Sequence, residues 1–118
     1  MSGRRVVVTG IGTINPLGQN IEEYFQNLQD GVSAAAPITH FDASKFRSRI
    51  ACEVKDYDWT RYFDRKEVRK YDRFAQFAMI SADEALRDAA IVENDAINLE
   101  RVGVVWGSGT GGNTKLYE

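Results

Sequence analysis

The stretch Arg101-Val-Gly-Val-Val-Trp-Gly-Ser-Gly-Thr-Gly-Gly112 decides the fold class. Val102, Val104 and Val105 form a short β-branched run, and Gly107, Gly109, Gly111 and Gly112 follow it. A strand is therefore expected to pass into a backbone bend that approaches something closely. Arg4 to Gly12, read RRVVVTGIG, has the same grammar. Two such runs separated by a long helical segment predict parallel strands joined by a crossover, in an α/β arrangement with both glycine turns at one sheet edge. Sites in open α/β sheets gather at such carboxyl ends.

Between the two runs the periodicity changes. Asn20 and Glu23 form a capping-box pair, and Ile21, Tyr24, Phe25 and Leu28 recur at helical spacing, with Gly31 as the stop. A helix of about three turns with one buried face is expected there. Val32 to His40 reads as a small-residue loop. Ile50, Cys52 and Val54 alternate with Ala51 and Glu53 as a short half-buried strand with Cys52 facing inward. Tyr57, Trp59, Tyr62 and Phe63 are expected to pin a surface excursion to the body. Asp64, with Glu67 three residues on, predicts the start of a long helix. Val68, Tyr71, Ala75, Ala78, Met79, Ala82, Leu86 and Ala89 share one face of it. Lys66, Arg69, Lys70 and Arg73 form a cationic stripe on the opposite face of its first two turns. A basic stripe at a helix N-terminus runs against the macrodipole and invites a functional reason. Phe77 lies on the same side one turn later.

The 118 residues suffice for one small domain, and a hydrophobic share of 43% with 27% charged residues is that of a globular chain. Fifteen basic and seventeen acidic residues give a formal net charge of -2, which argues against a dedicated nucleic-acid binder. An acidic protein partner fits the stripe better than DNA. A single cysteine, Cys52, excludes an internal disulfide and points to a reducing, cytoplasmic setting. No stretch approaches the ~20 apolar residues of a membrane span. A parallel sheet is covered on both faces, and two helices are too few for that, so the segment is expected to belong to something larger.

Several motifs have competing readings. Gly10-Ile-Gly12-Thr-Ile-Asn15 starts like a dinucleotide fingerprint but carries Asn15 where the third glycine belongs. Gly107 to Gly112 has the outer glycines of a phosphate loop, but Asn113 and Thr114 stand where Lys and Ser/Thr are required, and Lys115 comes too late. A tight turn, or a flexible backbone wall beside an elongated ligand, competes with a phosphate cradle. Cys52 and His40 lie on separate elements, and one of each is too few for a structural zinc site.

Taken in order, Arg4 to Gly12, Asn15-Pro-Leu-Gly18, Phe41-Asp42, Val54-Lys-Asp-Tyr57, Asp64-Arg-Lys-Glu-Val-Arg-Lys-Tyr-Asp-Arg73 and Gly107 to Gly112 resemble the N-terminal part of the β-ketoacyl-acyl-carrier-protein synthase II family. These are elongating condensing enzymes of the thiolase-like superfamily. The resemblance runs through the whole chain, residues 1–118, in register. It implies an α/β thiolase-like fold, of which this chain supplies part of the first αβ half, with a mixed, mainly parallel sheet and covering helices. It implies an acyltransferase that elongates fatty acyl chains by decarboxylative condensation with malonyl carrier protein, needs no cofactor or metal, and pairs as a homodimer. The family's cysteine, two histidines and lysine fall beyond Glu118, so no catalytic residue is expected here and the chain alone is expected to be inactive. Lys66, Arg69 and Lys70 match basic positions that meet the acyl carrier protein, and Arg73 extends that set by inference. Thr110 matches a position near the acyl pocket where bulkier apolar residues are frequent. A small nucleotide-binding α/β module and a non-catalytic dimerising fragment stand as alternatives.

Overall fold

A computed structural model describes residues 3–92 and 94–112. Asn113, Thr114 and Lys115, weighed above as phosphate-loop positions, lie outside the described residues. The elements, in chain order, are helix α1 (Ile21–Gln29), strands β1 (Ala35–Pro37) and β2 (Ile50–Cys52), a 3-10 turn at Trp59–Arg61, helix α2 (Arg73–Asp88) and a second 3-10 turn at Leu99–Arg101.

Helix α1 begins where its cap was read. The Asn20 side chain accepts from the Glu23 amide at 2.8 Å. The Glu23 carboxylate reaches back to the amide of Gln19, one residue before the usual box position. The helix ends in a Schellman closure: Val32 N–H donates to the Asn27 carbonyl, Gly31 N–H to that of Leu28, and Gly31 takes a φ of +67°. The face expected to be buried is not; Ile21 and Tyr24 are half-buried, while Phe25 and Leu28 are exposed.

β1 and β2 pair antiparallel, with Ala36 opposite Ala51 and Pro37 opposite Ile50. β2 was expected, but β1 was not, because three small or cyclic residues carry little strand signal. The facing of β2 is also the reverse of the expectation. Ala51 and its partner Ala36 are half-buried, whereas Ile50 and Cys52 are exposed. A period-2 pattern fixes which residues share a face, not which face turns inward.

The long helix expected from Asp64 is two pieces. The Asp64–Glu67 box forms: Asp64 Oδ1 accepts from the amides of Lys66 and Glu67 at 2.7 Å, and Glu67 Oε2 accepts from Asp64 N at 3.2 Å. It closes a turn that ends at Lys70. Asp72 then caps a second start, its carboxylate accepting from Arg73 N and its carbonyl from the amides of Ala75 and Gln76. Aspartate is a poor interior helix residue because its side chain competes for backbone donors, so the chain breaks there and restarts.

The glycine-ended runs also depart from expectation. Among the described residues the one sheet is the β1–β2 pair, and neither the Val6–Val8 run nor the Val102–Val105 run is paired into it. Val6 and Val105 are 91% and 98% exposed. Near the first run, backbone donors go to α2 instead. Ile11 N–H donates to Asp88 Oδ2 at 2.9 Å and Thr13 N–H to Glu84 Oε2 at 2.8 Å. Gly10 and Gly12 make this contact sterically possible. A Cβ on Gly10 would lie 2.3 Å from the Ala85 carbonyl oxygen, and one on Gly12 would lie 2.1 Å from that of Ser81. The buried apolar core of the described residues is Ala43 and Ile80, with Gln76 as a buried polar neighbour. The accessible surface of 10043 Å² exceeds the ~6,400 Å² of a compact monomer of this mass. Apolar surface is thus available on several faces.

Candidate functional site

The break at Tyr71-Asp72 shapes the basic region. Lys66, Arg69 and Lys70 are exposed on the capped turn, and none of them takes part in an ion pair within the described residues. The turn is tied at both ends by aromatic rings. Phe63, just before it, lies 6.4 Å from Tyr71, just after it, measured between ring centroids. Tyr62 joins Phe63 to Tyr57 at 6.5 and 6.4 Å. A hydrogen-bond chain closes the circle: the Tyr57 hydroxyl donates to Gln76 Oε1 at 2.7 Å, and Gln76 Nε2 donates to the Tyr71 carbonyl at 2.8 Å. The aromatics read as pinning a surface excursion do so, around Tyr57 rather than Trp59. Burial pushes the Tyr57 hydroxyl above its ordinary pKa, with Arg73 acting in the other direction.

Arg73 does not extend the exposed stripe. It is the first residue of α2, half-buried, and its guanidinium lies 5.4 Å from the ring centroids of both Tyr57 and Phe77. Its Nη2 donates to the Val54 carbonyl at 3.1 Å, and Nη1 lies 3.5 Å from His40 Nε2. Phe77, read as a residue awaiting a cover, packs edge-on against Tyr57 at 5.0 Å. His40 in turn lies 3.9 Å from Glu53. Thr39 donates its hydroxyl to Glu53 at 2.6 Å, and that bond, with the amides of Thr39 and His40, holds the Glu53 carboxyl below its ordinary pKa.

The glycine bend meets the same end of α2. Cβ atoms built on Gly111 would lie 2.7 Å from the Phe74 ring, and Gly112 takes a φ of +82° beside Asp72 and Phe74. The bend and the basic turn therefore adjoin one helix terminus. Thr110 is exposed on the bend. Cys52 opens onto a groove lined by Ile11, Tyr24 and Val32, away from His40, which belongs to the Arg73 cluster. No group of three or more His, Cys, Asp or Glu side chains is arranged for a metal ion among the described residues.

Reading residues one by one missed Asp72 as the true cap, and missed Glu84 and Asp88 as anchors. Aspartate inside a run of helix formers was a signal for the first. Two acids at i, i+4 on a helix rich in alanine were a signal for the second.

Comparison with known proteins places this segment in a family. A solved structure described as the ishigamide ketosynthase/chain length factor superposes with a TM-score of 0.68 at 40% identity, over 78% of this chain and 23% of that one. Residues 3–118 match the family described as Beta-ketoacyl synthase, N-terminal domain. The chain belongs to the β-ketoacyl synthase family and has its thiolase-like α/β fold. It is 48% identical to a 3-oxoacyl-[acyl-carrier-protein] synthase 2 of Coxiella burnetii and 45% identical to that of Synechocystis sp.. These matches cover 95% and 92% of this chain and 27% and 26% of the relatives, so the chain spans about a quarter of their length.

Proposed function

We propose that this chain is the part of a β-ketoacyl-acyl-carrier-protein synthase that receives the carrier protein and contributes to the acyl-pocket wall. Lys66, Arg69 and Lys70 meet an acidic surface of the carrier, and Thr110 on the glycine bend lies along the path of its acyl chain. The chemistry is that of the family: a cysteine thiolate accepts the acyl group from one carrier thioester and releases the carrier thiol. Malonyl carrier protein then loses carbon dioxide, and the resulting enolate carbon attacks the acyl-enzyme carbonyl, forming the new C–C bond as the acyl C–S bond breaks and the cysteine thiolate is released. The groups for those steps are supplied by family positions other than those described here. In the same reading the valine runs at 6–8 and 102–105 are strands of a larger, mainly parallel sheet, the enzyme is a cytoplasmic homodimer, and the exposed apolar faces are covered within it.

The observation that carries this reading is a doubly capped turn bearing four exposed cations, Lys66, Arg69 and Lys70 among them, at the helix end where the glycine bend docks, in a chain of net charge -2. Replacing both Arg69 and Lys70 by glutamate should weaken association with acyl carrier protein and flatten its salt dependence. Unchanged affinity and salt slope would overturn the docking role.

The nucleotide-binding alternative fares worse. The Cβ directions of Gly10 and Gly12 are filled by the backbone of α2, and the amides of Ile11 and Thr13 are already given to Asp88 and Glu84 rather than held out to a pyrophosphate. Calorimetry with ATP and NAD should show no binding.

A further inference from the structure

We propose that Arg73 and Tyr57 are positioning residues that fix how the basic turn is presented, rather than members of the charged surface itself. This rests on the docking role of Lys66, Arg69 and Lys70. A cation at the first position of a helix faces the positive end of the macrodipole, so it needs compensation. Arg73 finds it inward: two ring faces at 5.4 Å and the Val54 carbonyl at 3.1 Å. The other groups around it are His40, Glu53, Lys55 and Asp56, all of which share its cleft. A planar guanidinium can stack on rings and donate sideways at once; an ammonium cannot do both.

The Tyr57 ring that Arg73 covers is the node of the circle around the turn. One arm runs through Tyr62 and Phe63 to Tyr71, and the other through Gln76 to the Tyr71 carbonyl. The 64–70 turn is therefore a loop whose two ends are held on one ring. Ordering the turn before the partner arrives lowers the entropy cost of association. Arg73 acts on the partner only through this arrangement.

The test is Arg73→Lys, which keeps the charge, set beside Lys70→Ala, which removes one from the exposed set. Two quantities are read: amide hydrogen exchange at Val68 and Lys70, whose N–H groups close the turn onto Asp64 and Glu67, and carrier-protein affinity across a salt series. Arg73→Lys should speed exchange at both amides by about tenfold and weaken the carrier with the parent's salt slope. Lys70→Ala should leave exchange at Val68 as in the parent and make the slope shallower. If Arg73→Lys exchanges and binds like the parent, Arg73 is not a positioning residue and the proposal fails. If Lys70→Ala keeps both affinity and slope, the docking role fails instead, and this proposal with it. Should Arg73→Lys disturb α2 as a whole, Tyr57→Phe, which deletes only the bond to Gln76, takes its place with the same expected outcomes.

Discussion

The Glu84 carboxylate accepts from the first amide of α1, at Ile21, at 2.7 Å and from Thr13 N–H at 2.8 Å. One side chain of α2 thus fixes both the chain entering the Pro16 loop and the helix leaving it. An anion at a helix N-terminus is favoured by the macrodipole as well as by the bond itself. Glu84→Ala leaves two part-buried donors without a partner, and should lower stability by about 1–3 kcal/mol in urea unfolding. Glu84→Gln should fall between, because its oxygen can still accept from one of the two amides while its NH2 cannot accept from the other. A parent-like midpoint for Glu84→Ala would show that water replaces the carboxylate at both amides.

Gly10 and Gly12 provide a second, steric prediction. Alanine at either position places a methyl group within 2.5 Å of α2 backbone, which has no side-chain freedom to yield. Each substitution should cost more than about 2 kcal/mol through strain and lost packing. Gly103 is the internal control: no atom lies within 4 Å of its built Cβ. Gly103→Ala should be neutral or stabilise by up to about 1 kcal/mol through the unfolded chain. Equal effects at the three sites would mean that α2 does not sit on the opening segment.

Glu53 gives a dependence on pH. Its carboxyl is held below the ordinary carboxylate range by the Thr39 hydroxyl first, then by the amides of Thr39 and His40. A lowered folded-state pKa contributes stability that is present above the ordinary value and lost as pH falls through the folded one. Thr39→Val keeps the shape and removes the largest cause, so the β1–β2 hairpin should open at a higher pH on acid titration than in the parent. Coincident acid limbs, followed by the Glu53 side-chain NMR shift, would refute this account.

Local signals written within a few residues were legible. Asn20, Gly31, Asp64 with Glu67, and Ile50 to Cys52 each formed the cap, stop or strand their spacing predicted, because a capping bond or a pleat needs only near neighbours. The basic character of residues 66–70 was legible for the same reason, but their place was not: they were expected on the first turns of a long helix and stand on a separate capped turn before α2. The inward turn of Arg73 was not, since its partners at Val54, Tyr57 and His40 are 16 to 33 residues away in sequence and a helical wheel contains none of them. The facing of β2 escaped for a related reason: alternation is symmetric between its two sides.

The sequence by itself determined the family, the caps at Asn20 and Asp64, and the four cations crowded between Asp64 and Tyr71. Only the tertiary structure decided that Asp72 divides the expected helix, that Arg73 turns onto the rings of Tyr57 and Phe77, and that Gly10 and Gly12 admit the close approach of α2. Hydrogen-bond donors and ring faces have several acceptable partners in the chain, and which one wins depends on what packing brings within 3 to 6 Å, a quantity that one-dimensional spacing does not contain.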